Sequence, residues 1–112
     1  MSTISTHILD GATGLPAAGM RIELLTAQAD GGWLSLGVGS SDLDGRLKSA
    51  GDSALGPGNY RLVFGTGTWF AKLGRDCFYP EVIISFTVDD DDSHYHVPLL
   101  LSAYAYSTYR GS

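Results

Sequence analysis

Short β-rich runs separated by turn-forming residues are the feature that most restricts the fold of this chain. Residues 20–26 alternate apolar and polar side chains, the pattern of a strand with one buried face. Residues 81–88 are rich in β-branched side chains, and glycine, aspartate or proline interrupts the chain between such runs. Further strands are predicted at residues 4–9, 33–38, 60–64, 94–101 and 104–110.

One short helix is the exception to this β pattern. It is predicted over residues 68–74, where Thr68 would cap the start and Gly74 would end it. A tight turn is predicted at residues 42–45, because Gly45 can adopt positive φ just before Arg46. Seven or eight short strands with one brief helix predict an all-β fold, an antiparallel β-sandwich.

Length and composition favour one folded domain over residues 1–112. The chain is 44% hydrophobic and only 17% charged, so it can bury a core, and the low charge fraction suits a protein that hides surface in an oligomer. The net charge of −5 leaves no basic cluster for phosphates, which argues against nucleic acid as a partner. The acidic run at residues 89–92 is interpreted as a solvated turn, because the glycine and glutamate of a calcium loop are missing.

The expected location is the cytoplasm. Residues 1–7 lack the basic segment and apolar stretch of a signal peptide, and no apolar run approaches the roughly 20 residues that a membrane helix needs. Cys77 is the only cysteine, so an intrachain disulfide is excluded. No basic partner is evident for Cys77 and no Gly-x-Ser-x-Gly motif occurs, so covalent catalysis finds little support.

The three histidines, His7, His94 and His96, all fall on predicted strands. His94 and His96 are two residues apart and therefore point to the same face of their strand. One interpretation is a zinc site with an open position for water. The other is metal-free hydrolysis, in which a histidine takes a proton from water at neutral pH. Arg46 and Arg110 favour the second interpretation, because they would repel a dication and can stabilise the negative charge of a tetrahedral intermediate.

The chain ends in a polar tetrapeptide, Tyr109-Arg110-Gly111-Ser112, directly after an apolar and aromatic run. A terminus attached to such a run is expected to be held in a sheet, so that its polar groups occupy fixed positions. Residues at chain ends otherwise tend to be poorly ordered.

Four segments resemble the 5-hydroxyisourate hydrolases, the enzymatic branch of the transthyretin-like proteins. They are Ser5-Thr6-His7-Ile8-Leu9-Asp10 with Gly14-Leu15-Pro16-Ala17, then Asp42-Leu43-Asp44-Gly45-Arg46, then Phe78-Tyr79-Pro80-Glu81-Val82, and finally His94-Tyr95-His96-Val97-Pro98-Leu99-Leu100-Leu101-Ser102 with the closing Tyr106 to Ser112. The chain departs from the family at Ser102-Ala103, where members commonly have Ser-Pro.

The resemblance implies a transthyretin-like sandwich assembled as a homotetramer, a dimer of dimers with the sites in a central channel. It implies hydrolysis of 5-hydroxyisourate to 2-oxo-4-hydroxy-4-carboxy-5-ureidoimidazoline, the step after urate oxidation. Together with the weighing of the histidines above, no cofactor and no metal are expected. Carried over by position, the catalytic residues would be His7, Arg46 and His96, and His94 is a weaker candidate. Substrate binding would fall to the terminal residues Tyr109, Arg110, Gly111 and Ser112.

Two other classes of protein are weighed against the enzyme. A transthyretin-like carrier would bind small hydrophobic ligands in the same channel, but the carriers of this superfamily lack the two histidines, the arginine and the closing tetrapeptide. A sandwich used only for protein contacts does not explain polar groups gathered on strands. The site residues therefore favour the hydrolase, because the fold alone does not separate these functions.

Overall fold

Strands make up most of the structure, a computed structural model that describes residues 2–48, 50 and 55–112. The described part contains one helix, α1 (Thr66–Lys72). Its strands are β1 (Thr3–Asp10), β2 (Leu15–Pro16), β3 (Arg21–Ala27), β4 (Trp33–Ser40), β5 (Arg46–Leu47), β6 (Gly58–Phe64), β7 (Val82–Val88), β8 (His94–Leu101) and β9 (Tyr106–Thr108).

The strands form two sheets that face each other. One sheet has the order β2-β1-β8-β9, with β5 also paired to β1, and the other has the order β4-β3-β6-β7. Every pairing is antiparallel except that of β1 with β8, which run parallel from Thr3 opposite His94 to Asp10 opposite Leu101. The predicted transthyretin-like β-sandwich with one short helix is confirmed. Among the described residues it departs from the prediction in the parallel β1–β8 pair and in two additional two-residue strands, β2 and β5.

The core lies between the two sheets and is built by alternation along the strands. Ile4 and Ile8 of β1 are fully buried, as are Leu62 and Phe64 of the facing sheet. Each such side chain stabilises the fold by roughly 1.5–3 kcal/mol relative to exposure. Because alternate residues of a strand point to opposite faces, Thr6 is buried with Ile4 and Ile8, whereas Ser5 and His7 point to the outer face of the sheet.

The helix begins two residues earlier than the sequence predicted. Its N-cap is Gly65, and no side chain caps it. The predicted cap, Thr68, lies inside the helix, while the hydroxyl of Thr66 donates instead to the carbonyl oxygen of Tyr79 at 2.7 Å. The predicted stop is confirmed, since Gly74 follows the helix with φ of 65°. None of the helices in the described residues is long and apolar enough to cross a membrane.

The last strand is shorter than the predicted residues 104–110. The first residues of the predicted strand form a turn instead. In this turn both the amide and the hydroxyl of Ser102 donate to the carbonyl oxygen of Ala105, at 2.9 and 3.0 Å. The ladder with β8 therefore starts at Tyr106, opposite Leu101. The acidic run is an exposed connection between β7 and β8, as predicted.

Candidate active site

One outward face of the β1–β8 pair carries the polar residues of the candidate site. The parallel register sets Thr3 opposite His94, Ser5 opposite His96 and His7 opposite Pro98. Residues opposite each other in a ladder share a face, so all three histidines lie on this polar face. The prediction that His94 and His96 point the same way is confirmed.

Arg46 reaches the same face through the turn at residues 42–45. Gly45 has φ of 76°, and its carbonyl oxygen accepts a 2.8 Å hydrogen bond from the amide of Ile8. The carboxylate of Asp42 accepts the amide of Arg46, and this hydrogen bond is the main reason that the pKa of Asp42 lies below its usual value. The turn thereby docks β5 on β1 and sets Arg46 opposite His7.

The end of the chain is held against β8 beyond the last ladder residue. Thr108 pairs with Leu99, and the same register reappears where Gly111 bridges His96. The amide of Gly111 donates to the carbonyl oxygen of His96 at 2.8 Å. The terminal residues are thus tied to the sheet, as the sequence predicted.

A cavity of about 290 Å³ opens on the polar face. It contains two of the three predicted catalytic residues, Arg46 and His96, together with the chain-terminal Ser112. His7 lies beside the cavity on the same face rather than among its lining residues. The residues that line it are Ser5, Thr6, Arg46, Leu47, Lys48, His94, His96 and Ser112.

The ring of His96 is held between a hydroxyl and the chain terminus. Its Nδ1 is 2.8 Å from the hydroxyl oxygen of Ser5, which is 8% exposed. On the other side, a β-carbon added to Gly111 would stand 2.6 Å from Cδ2 of the ring, so the backbone of Gly111 is in close contact with it. Ser5 also contacts Nε2 of His94 at 2.7 Å.

Burial lowers the pKa of His96 below its ordinary value of 6.5, and the charges of His7, His94 and Arg46 lower it further. A hydrogen bond with the backbone of Ser5 acts in the opposite direction and raises the pKa. The net lowering keeps His96 neutral to lower pH than an exposed histidine, and the neutral ring is the form that accepts a proton from water.

The structure separates Arg110 from the other terminal residues. The β8–β9 register sets Tyr109 on the face of Pro98 and Gly111 on the face of His96, and it turns Arg110 to the opposite side of the sheet. There the guanidinium carbon of Arg110 lies 4.2 Å from the ring centroid of Tyr95. Arg110 and Tyr109 also line a second cavity of about 250 Å³ at the edge between the sheets.

Sequence reasoning missed the role of Ser5 and the presence of Lys48 in the cavity. Ser5 was named only within the first of the four family segments. Because Ser5 and His7 are two residues apart on one strand, they lie on the same face, and this spacing was the available signal. Lys48 lies two residues beyond Arg46, so its place in the cavity depends on the short β5 strand. Within the described residues, no group of three or more histidine, cysteine, aspartate or glutamate side chains has a geometry that would hold a metal ion.

Comparison with known proteins agrees with this fold. Residues 4–111 match the model of the HIUase/Transthyretin family. A 5-hydroxyisourate hydrolase of Salmonella dublin is 47% identical over 110 residues, covering 97% of this chain and 80% of the relative.

Two solved structures are similar over almost their whole length. The 5-hydroxyisourate hydrolase of Klebsiella pneumoniae has a TM-score of 0.87 and 38% identity, covering 100% of this chain and 94% of that one. Sea bream transthyretin in complex with thyroxine has a TM-score of 0.90 and 27% identity, covering 96% and 93%.

The two-sheet sandwich with its short helix defines a transthyretin-like protein. The chain belongs to the HIUase/Transthyretin family. Its similarity to several hydrolases over nearly the full length makes it a hydrolase.

Proposed function

We propose that this chain hydrolyses 5-hydroxyisourate to 2-oxo-4-hydroxy-4-carboxy-5-ureidoimidazoline. Relatives named 5-hydroxyisourate hydrolase support a role in urate degradation. The observation that carries the proposal is the meeting of His96, Arg46 and Ser112 in one cavity on the polar face. A hydrolysis that opens a reactive cyclic imide needs a base for water and a donor for developing negative charge, and no covalent nucleophile.

His96 is proposed as the general base. Its lowered pKa keeps the ring neutral, and Nδ1 is engaged by Ser5, which leaves Nε2 to accept a proton from the attacking water. The water oxygen would add to the substrate carbonyl and form a tetrahedral intermediate. When the carbon–nitrogen bond breaks, the leaving nitrogen takes up a proton, so the atoms balance without a cofactor.

Arg46 and His7 are proposed to act on the charges of this intermediate. The guanidinium of Arg46 is exposed to the cavity and presents a planar set of donors to the oxyanion. His7, directly opposite Arg46 in the ladder, is proposed to orient the water or to donate to the leaving nitrogen.

The chain terminus is proposed to complete the substrate pocket. Ser112 lines the cavity, Gly111 contacts the His96 ring and Tyr109 shares their face. Substrate binding by Arg110 stays a prediction, since its guanidinium packs on Tyr95 on the other side of the sheet.

A homotetramer, a dimer of dimers, is proposed as the assembly. Among the described strands, β7 and β9 each pair with a neighbour on one side only. Residues of both strands line the second cavity, at the edge between the sheets, so these two free edges lie on the same side of the sandwich. Free edges are stabilised when another strand pairs with them. Leu100 and Tyr109 are exposed on the polar face and would be covered when two dimers meet there. Light scattering coupled to gel filtration measures the mass directly.

A carrier function is the alternative, because sea bream transthyretin in complex with thyroxine has the same fold. The lining of the cavity favours hydrolysis, since it holds two histidines, an arginine and a lysine where a hydrophobic ligand would require apolar contacts. The cytoplasmic location and the extent of the domain, residues 1–112, stay predictions.

The test is the ultraviolet decay of 5-hydroxyisourate generated in situ from urate by a purified oxidase. The wild type should accelerate decay well above the spontaneous rate, and EDTA should leave the rate unchanged. His96→Ala and Arg46→Ala should abolish the acceleration, whereas Arg21→Ala, which removes an arginine on the other sheet, should retain it. Wild-type decay at the spontaneous rate would reject the hydrolase, and a rate lost with EDTA would reject the metal-free mechanism.

A further inference from the structure

A chain of hydrogen bonds leads from His96 to the protein surface. Nδ1 of His96 contacts the Ser5 hydroxyl at 2.8 Å, and the same hydroxyl contacts Nε2 of His94 at 2.7 Å. Nδ1 of His94 in turn contacts the Thr3 hydroxyl at 2.5 Å. The parallel register builds this chain, because it alternates Thr3 and Ser5 with His94 and His96 on one face.

The single proton of the Ser5 hydroxyl couples the two imidazoles. A serine hydroxyl donates once and accepts through its lone pairs, so Ser5 donates to at most one of the two rings, and at least one ring donates to Ser5. If His96 accepts a proton from water at Nε2, its resting proton is on Nδ1, and Ser5 accepts from it. The hydroxyl proton of Ser5 is then available to Nε2 of His94, and this arrangement places the proton of His94 on Nδ1, directed at Thr3.

We propose that Ser5 and His94 form a proton relay that sets the tautomer of His96 and shares the proton it takes from water. This inference rests on the proposed hydrolysis. As the water proton bonds to Nε2 of His96, the Nδ1 proton moves to the oxygen of Ser5, and the hydroxyl proton of Ser5 moves to Nε2 of His94. The positive charge passes from a half-buried ring to an exposed one, and His96 is left neutral with a proton on Nε2.

The same relay running backwards completes the turnover. His96 donates its Nε2 proton to the leaving nitrogen, His94 returns a proton to Ser5, and Ser5 returns one to Nδ1 of His96. Every oxygen and nitrogen regains its resting protons, and the net transfer is from water to the leaving nitrogen. In this scheme His96 serves as base and then as acid, so the role of His7 is to orient the water.

The electrostatic surroundings favour moving the charge away from His96. His7 on β1 and Arg46 on β5 lie on its face, Lys48 lines the same cavity, and His94 neighbours it on β8. Burial and three of these groups disfavour an imidazolium at His96. An exposed His94 tolerates the charge better, because water solvates it. Ser5 and His94 are thus positioning residues that act through His96.

The kinetic test compares variants of the relay with a matched control. Ser5→Ala removes the bridging hydroxyl, and His94→Gln keeps a hydrogen-bonding group near Ser5 but does not take up a proton. Positioned acid–base groups contribute roughly 10²–10⁴-fold, so each variant should lower kcat by about tenfold or more while KM changes little. Ser5→Thr keeps the hydroxyl and should restore most of kcat. Ser41→Ala is the control, since Ser41 is equally buried and also makes two hydrogen bonds but lies outside the cavity.

The tautomer is measured without substrate, by nitrogen-15 NMR of the histidine rings. Wild-type His96 should show the proton on Nδ1, and Ser5→Ala should lose that preference. Any of three results would overturn the relay. They are unchanged NMR couplings in Ser5→Ala, a kcat within twofold of wild type in both relay variants, or an equal loss of kcat in Ser41→Ala. An inactive wild type would reject the proposed function, and the NMR result would still decide whether Ser5 fixes the His96 tautomer.

Discussion

The backbone of Gly111 lies against the ring of His96: its amide donates to the His96 carbonyl oxygen at 2.8 Å, and an added β-carbon would stand 2.6 Å from Cδ2. The chain terminus is therefore one wall of the space that the His96 ring occupies. Any side chain at position 111 would push this ring or displace the terminus.

Gly111→Ala should lower activity much more than stability. The new methyl group would move the His96 ring, and a displacement of about 1 Å can cost about 10²-fold in rate. We expect a loss of kcat of that order with a melting temperature within a few degrees of wild type. Gly56→Ala is the matched control, because nothing lies within 4 Å of its β-carbon position. Equal kcat in Gly111→Ala and wild type would show that the terminus does not position His96.

The pH profile should reveal the lowered pKa of His96. The proposed base acts in its neutral form, so kcat/KM should fall as pH drops through a pKa below the ordinary 6.5. His94→Gln removes one of the groups that lower this pKa, so the acidic limb should move to higher pH. Rates across pH 4 to 9 for both proteins measure the shift. An acidic limb in the wild type at or above pH 6.5 would contradict the lowered pKa.

The ion pair of Asp10 and Arg75 should make stability depend on pH. Arg75 lies just beyond α1 and its Nη1 is 2.6 Å from the carboxylate of buried Asp10, which ties the helix to the end of β1. This hydrogen bond lowers the pKa of Asp10 below 3.8. Stability from a depressed carboxyl pKa is present above the unfolded value and lost as pH falls through the folded value. Asp10→Asn should cost roughly 1–3 kcal/mol at pH 7 and much less near pH 2.

Urea unfolding at the two pH values gives both free energies for Asp10→Asn. Glu23→Gln is the comparison, because it breaks the more exposed pair with Arg21 at 3.7 Å. Such exposed pairs contribute at most about 1 kcal/mol. A penalty for Asp10→Asn that is the same at pH 7 and pH 2 would exclude the ion pair as its source.

Arg110 should support the site through Tyr95. Its guanidinium carbon lies 4.2 Å from the Tyr95 ring centroid. The Tyr95 hydroxyl donates a hydrogen bond to the carboxylate of Asp91 in the acidic connection. Cation–π contacts contribute about 0.5–1 kcal/mol at exposed sites, so Arg110→Gln should lower kcat/KM only a few-fold. In a double-mutant cycle with Tyr95→Leu, the two effects should be less than additive. A large increase in KM that is independent of Tyr95 would instead establish Arg110 as a substrate-binding residue.

Local patterns account for most of the fold. The alternation of residues 20–26 and the β-branched run before the acidic connection predicted strands that the structure confirms as β3 and β7. The positive φ of Gly45 could be predicted from the sequence, because glycine is one of the few residue types that adopt this conformation without strain. The errors lie at element ends, where a helix or strand competes with a turn, as at Thr66 and Ser102. The two-residue strands β2 and β5 were also missed, because they are too short to show a pattern of alternation.

Only tertiary structure decided which polar residues meet. The sequence determined that His94 and His96 share a face, since this follows from the two-residue period of one strand. Ser5 lies between those two rings because β1 pairs with β8 in parallel. This pairing depends on which strands of the sandwich become neighbours. The same long-range pairing turned Arg110 away from the cavity and brought Gly111 onto His96. A strand's own sequence sets the direction of its side chains, whereas its neighbours and register are set by the packing of the whole core.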